Sequence, residues 1–199
     1  MFLPLSEKVD NQLILDSYDK IKEDYLNFLG DYEKYFFDYQ HSWDLNFGWE
    51  SKLPKNTGYF WQVCPLVYGR YPVPGLLWHK EIEECFTTKL IMSFKVKPIL
   101  AIFSVLDPNG IVKPHADYDD ELMASFDGIR KPGETIVKYH FSLDIPDDGP
   151  CGLKVGGEER ILKNCELNPF DERSTHSAYN KSSKRRGALI MSFARSEIY

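Results

Sequence analysis

From Val96 onward, short apolar runs alternate with turn residues, and this rhythm constrains the fold more than any other feature of the chain. The runs are Ile99–Leu106, Thr135–Ile145, Cys151–Val155, Arg160–Leu162, Glu166–Phe170, His176–Tyr179 and Ala188–Ala194. Asp107-Pro-Asn-Gly110, Pro146-Asp-Asp-Gly-Pro150 and Gly156-Gly157 lie between runs and carry the residues that turns require. Many short strands at regular spacing predict a β-barrel or sandwich. The 199 residues suit one domain, and a 43% hydrophobic, 15% aromatic composition can fill its core.

The first half reads differently. Ile14, Tyr18, Ile21, Tyr25 and Phe28 recur at helical spacing and predict one amphipathic helix over Asp10–Phe28, capped by Asp10 and stopped by Gly30. Phe36–Lys55, with Trp43 and Trp49, reads as a long irregular connection. Tyr59–Tyr68 alternates as a strand should, and Tyr71-Pro-Val-Pro-Gly75 breaks it. Leu76–Lys89 predicts a second helix with Trp78, Ile82, Cys85 and Phe86 on one side. The expected organisation is a single domain over 1–199. A helical and aromatic flank with supporting strands occupies 1–95, and the β core occupies 96–199.

Charge narrows the partners. A net charge of −6 without a block of basic residues is a poor footing for nucleic acid or a membrane surface; Lys181–Arg186 is short. Cys64, Cys85, Cys151 and Cys165 form no C-x-x-C pair, so zinc is not expected. Cys151 and Cys165 could meet across a hairpin, but reduced core thiols are the plainer expectation. The N-terminal apolar stretch is too short for a signal-peptide core, and no apolar run is long enough to span a bilayer. The expected location is the cytoplasm.

Chemistry centres on Ile111-Val-Lys-Pro-His115-Ala-Asp117. Residues two apart on a strand share a face, so His115 and Asp117 would converge on one point. Alone, His-x-Asp is usually a hydrogen-bonded surface pair. A second histidine would complete a facial site of two histidines and one carboxylate, which suits Fe(II) and leaves positions open. His140 and His176 are the candidates. Arg186 follows His176 by ten residues and opens an apolar strand, where a guanidinium needs an anion.

His115-x-Asp117, His176 and Arg186 together resemble the 2-oxoglutarate-dependent Fe(II) oxygenases, and within them the aspartyl/asparaginyl β-hydroxylase family. Further matches are Ser104–His115, Lys138-Tyr-His140-Phe-Ser-Leu, Cys151-Gly-Leu and Phe170-Asp-Glu-Arg-Ser-Thr-His176-Ser-Ala-Tyr-Asn180. The resemblance covers about half the chain, over Ile99–Ser192. It implies a mainly β fold with flanking helices, a double-stranded β-helix (cupin-like jelly roll). It implies His115, Asp117 and His176 as the catalytic metal ligands, and Ser104, Lys138, His140 and Arg186 as the residues holding 2-oxoglutarate. A family arginine is replaced by Lys138, which keeps charge but loses the bidentate fork. Fe(II), 2-oxoglutarate and O2 are the implied cofactors, with succinate and CO2 as coproducts.

Two departures bear on substrate. Animal members carry glycine where this chain has Asp117, and the stretch Tyr118–Gly133 is longer here. Both features are similar to bacterial hydroxylases of free amino acids. Tyr118–Gly133 reads as a lid, with Tyr118, Arg130 and Arg173 as candidate substrate contacts. The expected function is hydroxylation of an unactivated C–H bond in a free amino acid or similar small molecule. Hydroxylation of an aspartyl, asparaginyl or other side chain in a protein is the alternative, and a non-enzymatic metal- or ketoacid-binding jelly roll is a third reading.

Overall fold

The computed structural model describes residues 1–38, 58–69, 71–72, 79–116 and 134–199. Trp43, Trp49, Trp78, Asp117, Tyr118, Arg130 and the expected lid therefore lie outside the described residues.

The predicted first helix is two helices, α1 (Asn11–Asp16) and α2 (Tyr18–Gly30), joined at Ser17. Asp10 does not cap α1 with its side chain; its carboxylate accepts from the Lys95 N–H at 3.0 Å. Gly30 is the last helical residue rather than the stop. The apolar stripe serves its expected purpose, since Ile14, Ile21 and Tyr25 are fully buried. A short turn of helix, α3 (Tyr32–Tyr35), follows. The second predicted helix is also split. α4 (Lys80–Glu84) and α5 (Phe86–Met92) meet at Cys85, which is extended and accepts from the Thr88 N–H to begin α5. Intrinsic periodicity runs through both breaks; packing against a curved sheet does not.

The strands are β1 (Phe37–Asp38), β2 (Gly58–Tyr68), β3 (Tyr71–Pro72), β4 (Leu100–His115), β5 (Ile136–Asp144), β6 (Cys151–Val155), β7 (Glu158–Ile161), β8 (Leu167–Asp171), β9 (His176–Asn180) and β10 (Arg186–Ala194). All the pairings among them are antiparallel, in the order β7-β6-β9-β4-β10-β5-β8, with β2 also paired to β4 and β1 and β3 paired to β2. β6 and β7 turn at Gly156 and Gly157, both at positive φ (+55° and +89°), as a tight hairpin requires. A final helical turn, α6 (Arg195–Ile198), closes the chain.

The expectation of a turn at Asp107–Gly110 is overturned. β4 runs through it, with only Asn109 at positive φ (59°). Leu100–Leu106 pair with β10, whereas Ile111, Val112 and His115 pair with β9. One strand thus belongs to both walls, and its irregular centre is the bend between them. The sheet curls into a half-barrel of jelly-roll type, in agreement with the fold expected from sequence.

Alternation divides the sheet between two cores. Ala101, Phe103 and Val105 of β4, Val137, Tyr139 and Phe141 of β5, and Leu189, Met191 and Phe193 of β10 pack with the helices. Residues of the opposite parity face the barrel interior. A smaller cluster there contains Phe2, Leu106, Val112, Leu153, Val155 and Phe170. Each fully buried side chain of Phe or Leu size contributes about 1.5–3 kcal/mol, so these faces hold the two walls together. The four cysteines are free, and Cys151 bonds with Asn180 rather than Cys165.

Candidate active site

The interior parity brings the sequence-predicted residues to one cavity. Ser104 comes from β4, Lys138 and His140 from β5, Arg186 from β10, His115 from the end of β4 and His176 from the start of β9, and all six line it. Ile102, Leu153, Phe170 and Ile190 complete an apolar wall.

His115 reaches this face through a bulge. The β4–β9 register shifts between Val112 and His115. Without that extra residue, Val112 and Pro114 would share a face and His115 would point out; the bulge re-aims it inward. His115 and His176 are direct cross-strand partners, with ring centroids 4.3 Å apart. Each ring is held by the chain just before it. His115 Nδ1 lies 2.7 Å from the Lys113 carbonyl, and His176 Nδ1 lies 2.9 Å from the Ser174 carbonyl. A carbonyl only accepts, so Nδ1 carries the hydrogen in both, and in the neutral ring the lone pair is on Nε2. This is the orientation that metal-binding imidazoles adopt. Among the described residues no group of three His, Cys, Asp or Glu side chains stands close enough to hold a metal. The pair could supply two ligands, and the expected third, Asp117, lies outside the described residues.

Arg186 is 3% exposed, and its Nε and Nη1 have no hydrogen-bond partner among the described residues. Its Nη2 stands 3.4 Å from His140 Nε2. Burial lowers the guanidinium to about 10, so it stays charged at neutral pH. Burial, with the Arg186 charge beside it, lowers His140 to about 3 and keeps that ring neutral. An isolated buried charge is costly, and a carboxylate would satisfy it. These residues fit a dicarboxylate reaching past the histidine pair to Arg186.

Ser104 is buried, and its Oγ accepts from Trp61 Nε1 at 2.8 Å. Sequence reasoning marked β2 as a strand but assigned Trp61 no role. Only the pairing of β2 with β4 brings its indole to the cavity. Arg173 is not among the residues lining this cavity; it bonds with Asp171 at 3.1 Å and its side chain is 46% exposed.

A family model described as aspartyl/asparaginyl β-hydroxylase matches residues 16–196. No curated protein matches the chain in sequence. Among solved structures, the chain is similar to a protein from Photorhabdus luminescens, at 10% identity and a TM-score of 0.41, over 70% of this chain and 80% of that one. It is similar to a cupin-2 domain protein from Rhodospirillum rubrum, at 10% identity and 0.40, over 70% and 63% of the two chains. It is also similar to a predicted oxalate decarboxylase from Thermotoga maritima, at 14% identity and 0.38, over 69% and 84%. The family match spans nearly the whole chain, including every strand that contributes to the cavity, and the chain belongs to the aspartyl/asparaginyl β-hydroxylase family.

Proposed function

We propose that the protein is a 2-oxoglutarate- and Fe(II)-dependent dioxygenase that hydroxylates an unactivated C–H bond of a free amino acid or similar small molecule. The observation that carries this reading is Arg186, a buried guanidinium whose Nε and Nη1 have no partner among the described residues, in the cavity that the histidine pair also lines. Family membership and the histidine tautomers support it.

In this reading His115 and His176 hold the metal through Nε2, with Asp117 as the third ligand. When bound, Fe(II) with 2-oxoglutarate and O2 supplies an oxidation strong enough for an unactivated C–H bond, with release of succinate and CO2. The Lys113 and Ser174 carbonyls fix the two rings against rotation. Arg186 binds the distal carboxylate of 2-oxoglutarate. Trp61 occupies one lone pair of Ser104, so the Ser104 hydroxyl is available to donate to the same ligand. Lys138 adds a positive charge at the cavity wall. Ile102, Leu153, Phe170 and Ile190 exclude water, which strengthens each polar contact inside. Tyr118 and Arg130 belong to the proposal as substrate contacts on their sequence position.

The test is a screen of free amino acids and peptides with Fe(II) and 2-oxoglutarate. Succinate formation coupled to a mass gain of one oxygen on a free amino acid is the expected result. The same gain on peptides alone would replace the substrate class. Failure of every arm to give substrate-dependent succinate would overturn the reaction.

A further inference from the structure

We propose that Asn168 is a further binding residue for the carboxylate that Arg186 takes, and that Arg160 is the positioning residue that sets its amide. This rests on the function proposed above and adds a residue that the sequence motifs do not contain.

Asn168 lies on β8 directly opposite His140 of β5. It shares its parity with Phe170, which lines the cavity, so its side chain turns to the barrel interior. It is 4% exposed. Its Oδ1 accepts from Arg160 Nη1 at 3.1 Å. A guanidinium only donates, so this contact settles which end of the amide faces Arg160. The NH2 group then faces away from Arg160, and Nδ2 is buried with no partner among the described residues.

His140 presents the same kind of group. Arg186 Nη2 only donates, so His140 Nε2 accepts and Nδ1 carries the hydrogen. That Nδ1 is also buried without a partner among the described residues, as are Arg186 Nε and Nη1. Three neighbouring side chains therefore offer donors only. His140 links the other two, at 3.4 Å from Arg186 and across the strand pair from Asn168. Directly opposed residues have Cβ atoms about 4.5–5.5 Å apart, within reach of one shared ligand. A carboxylate accepts at about four positions and donates at none, which is the complement of this set. Arg160 is anchored by Glu158 at 3.2 Å and lies over the Phe2 ring at 3.8 Å, so the amide rests on an ordered group.

The experiment measures equilibrium binding to the full chain loaded with Mn(II), under conditions without turnover. 2-Oxoglutarate is compared with 2-oxobutyrate, which lacks the distal carboxylate. Asn168→Leu should weaken 2-oxoglutarate about tenfold, the size of one hydrogen bond to a charged group, and leave 2-oxobutyrate nearly unchanged. Asn168→Asp should weaken it further, because a carboxylate then faces a carboxylate. Arg160→Met should give a smaller loss with the same selectivity. If the leucine variant does not fold, Asn168→Ser, too short to reach, should show the same pattern. Equal weakening of both ketoacids would make Asn168 structural and overturn the proposal, as would unchanged binding by the Leu and Asp variants. The latter result would leave the 2-oxoglutarate reading standing provided Arg186→Ala loses 2-oxoglutarate. If Arg186→Ala binds it as tightly as the parent protein, the underlying reading fails as well.

Discussion

Arg186 sets stability against function at a single position. Its charge is buried and two of its nitrogens lack partners among the described residues, so it burdens the ligand-free fold. Arg186→Met removes the charge and keeps much of the volume. It is expected to raise the Tm of the ligand-free protein in calorimetry and to weaken 2-oxoglutarate at least about 30-fold, since truncating one side of a buried charge pair costs about 2 kcal/mol or more. A lowered Tm together with intact binding would contradict both halves. His140 makes a pH prediction. Its folded value of about 3 lies below the ordinary histidine value of about 6.5. As pH falls through about 6.5 the unfolded chain takes up a proton that the folded chain refuses until about 3. Stability should therefore fall between those limits, by at most about 1.4 kcal/mol per pH unit from this residue. Urea unfolding at pH 7.5 and 5.0 should show a smaller pH dependence in His140→Gln than in the parent protein.

At the scale of elements, β10 carries a tight steric constraint. Gly187 follows Arg186 at the point where the β10–β5 register shifts. A Cβ there would lie 2.4 Å from Tyr25 Cζ of α2, and Tyr25 is fully buried. Gly187→Ala must push the helix or the strand. The expected cost is about 1–3 kcal/mol, or roughly 2–4 °C of Tm per kcal/mol, with weaker 2-oxoglutarate binding because Arg186 moves with the strand. An unchanged melting curve would show that α2 yields freely. Strand existence was legible throughout the second half, because alternation is a local property. Cys151–Val155 has the same bounds in sequence and structure. The helices were legible as apolar stripes but not as breaks, since Ser17 and Cys85 interrupt no stripe. Asp107–Gly110 misled because its residues favour a turn, while continuous pairing of β4 with β2, β9 and β10 on either side of it keeps the strand intact.

At the scale of the molecule, the N-terminal segment ties the barrel's loose edges. β7 and β8 end the strand order. Phe2 bridges to Phe170 of β8, and Leu3 N–H donates to the Pro169 carbonyl at 2.9 Å. Phe2 also lies edge-on to Phe170 and under Arg160 of β7. Phe170 in turn packs on the His176 ring, with centroids 5.0 Å apart. Phe2→Ala should cost about 3–5 kcal/mol in chemical denaturation. Hydrogen exchange should speed in both β7 and β8. Faster exchange confined to residues 1–5 would mean that the segment frays without closing anything.

Sequence alone determined the strand content of the second half and the apolar stripes of the first, through periodicity, which short stretches of chain express by themselves. The resemblance to the family named Ser104, His115, Lys138, His140, His176 and Arg186, which line the cavity. Tertiary structure alone decided the rest. The bulge that aims His115 exists only in the pairing with β9. The tautomer of His115 and of His176 follows from a carbonyl fixed by the folded backbone. Trp61 and Asn168 reach the interior through pairings with β4 and β5. Register across a sheet is set by side chains far apart in sequence, and a shift of one residue reverses every face.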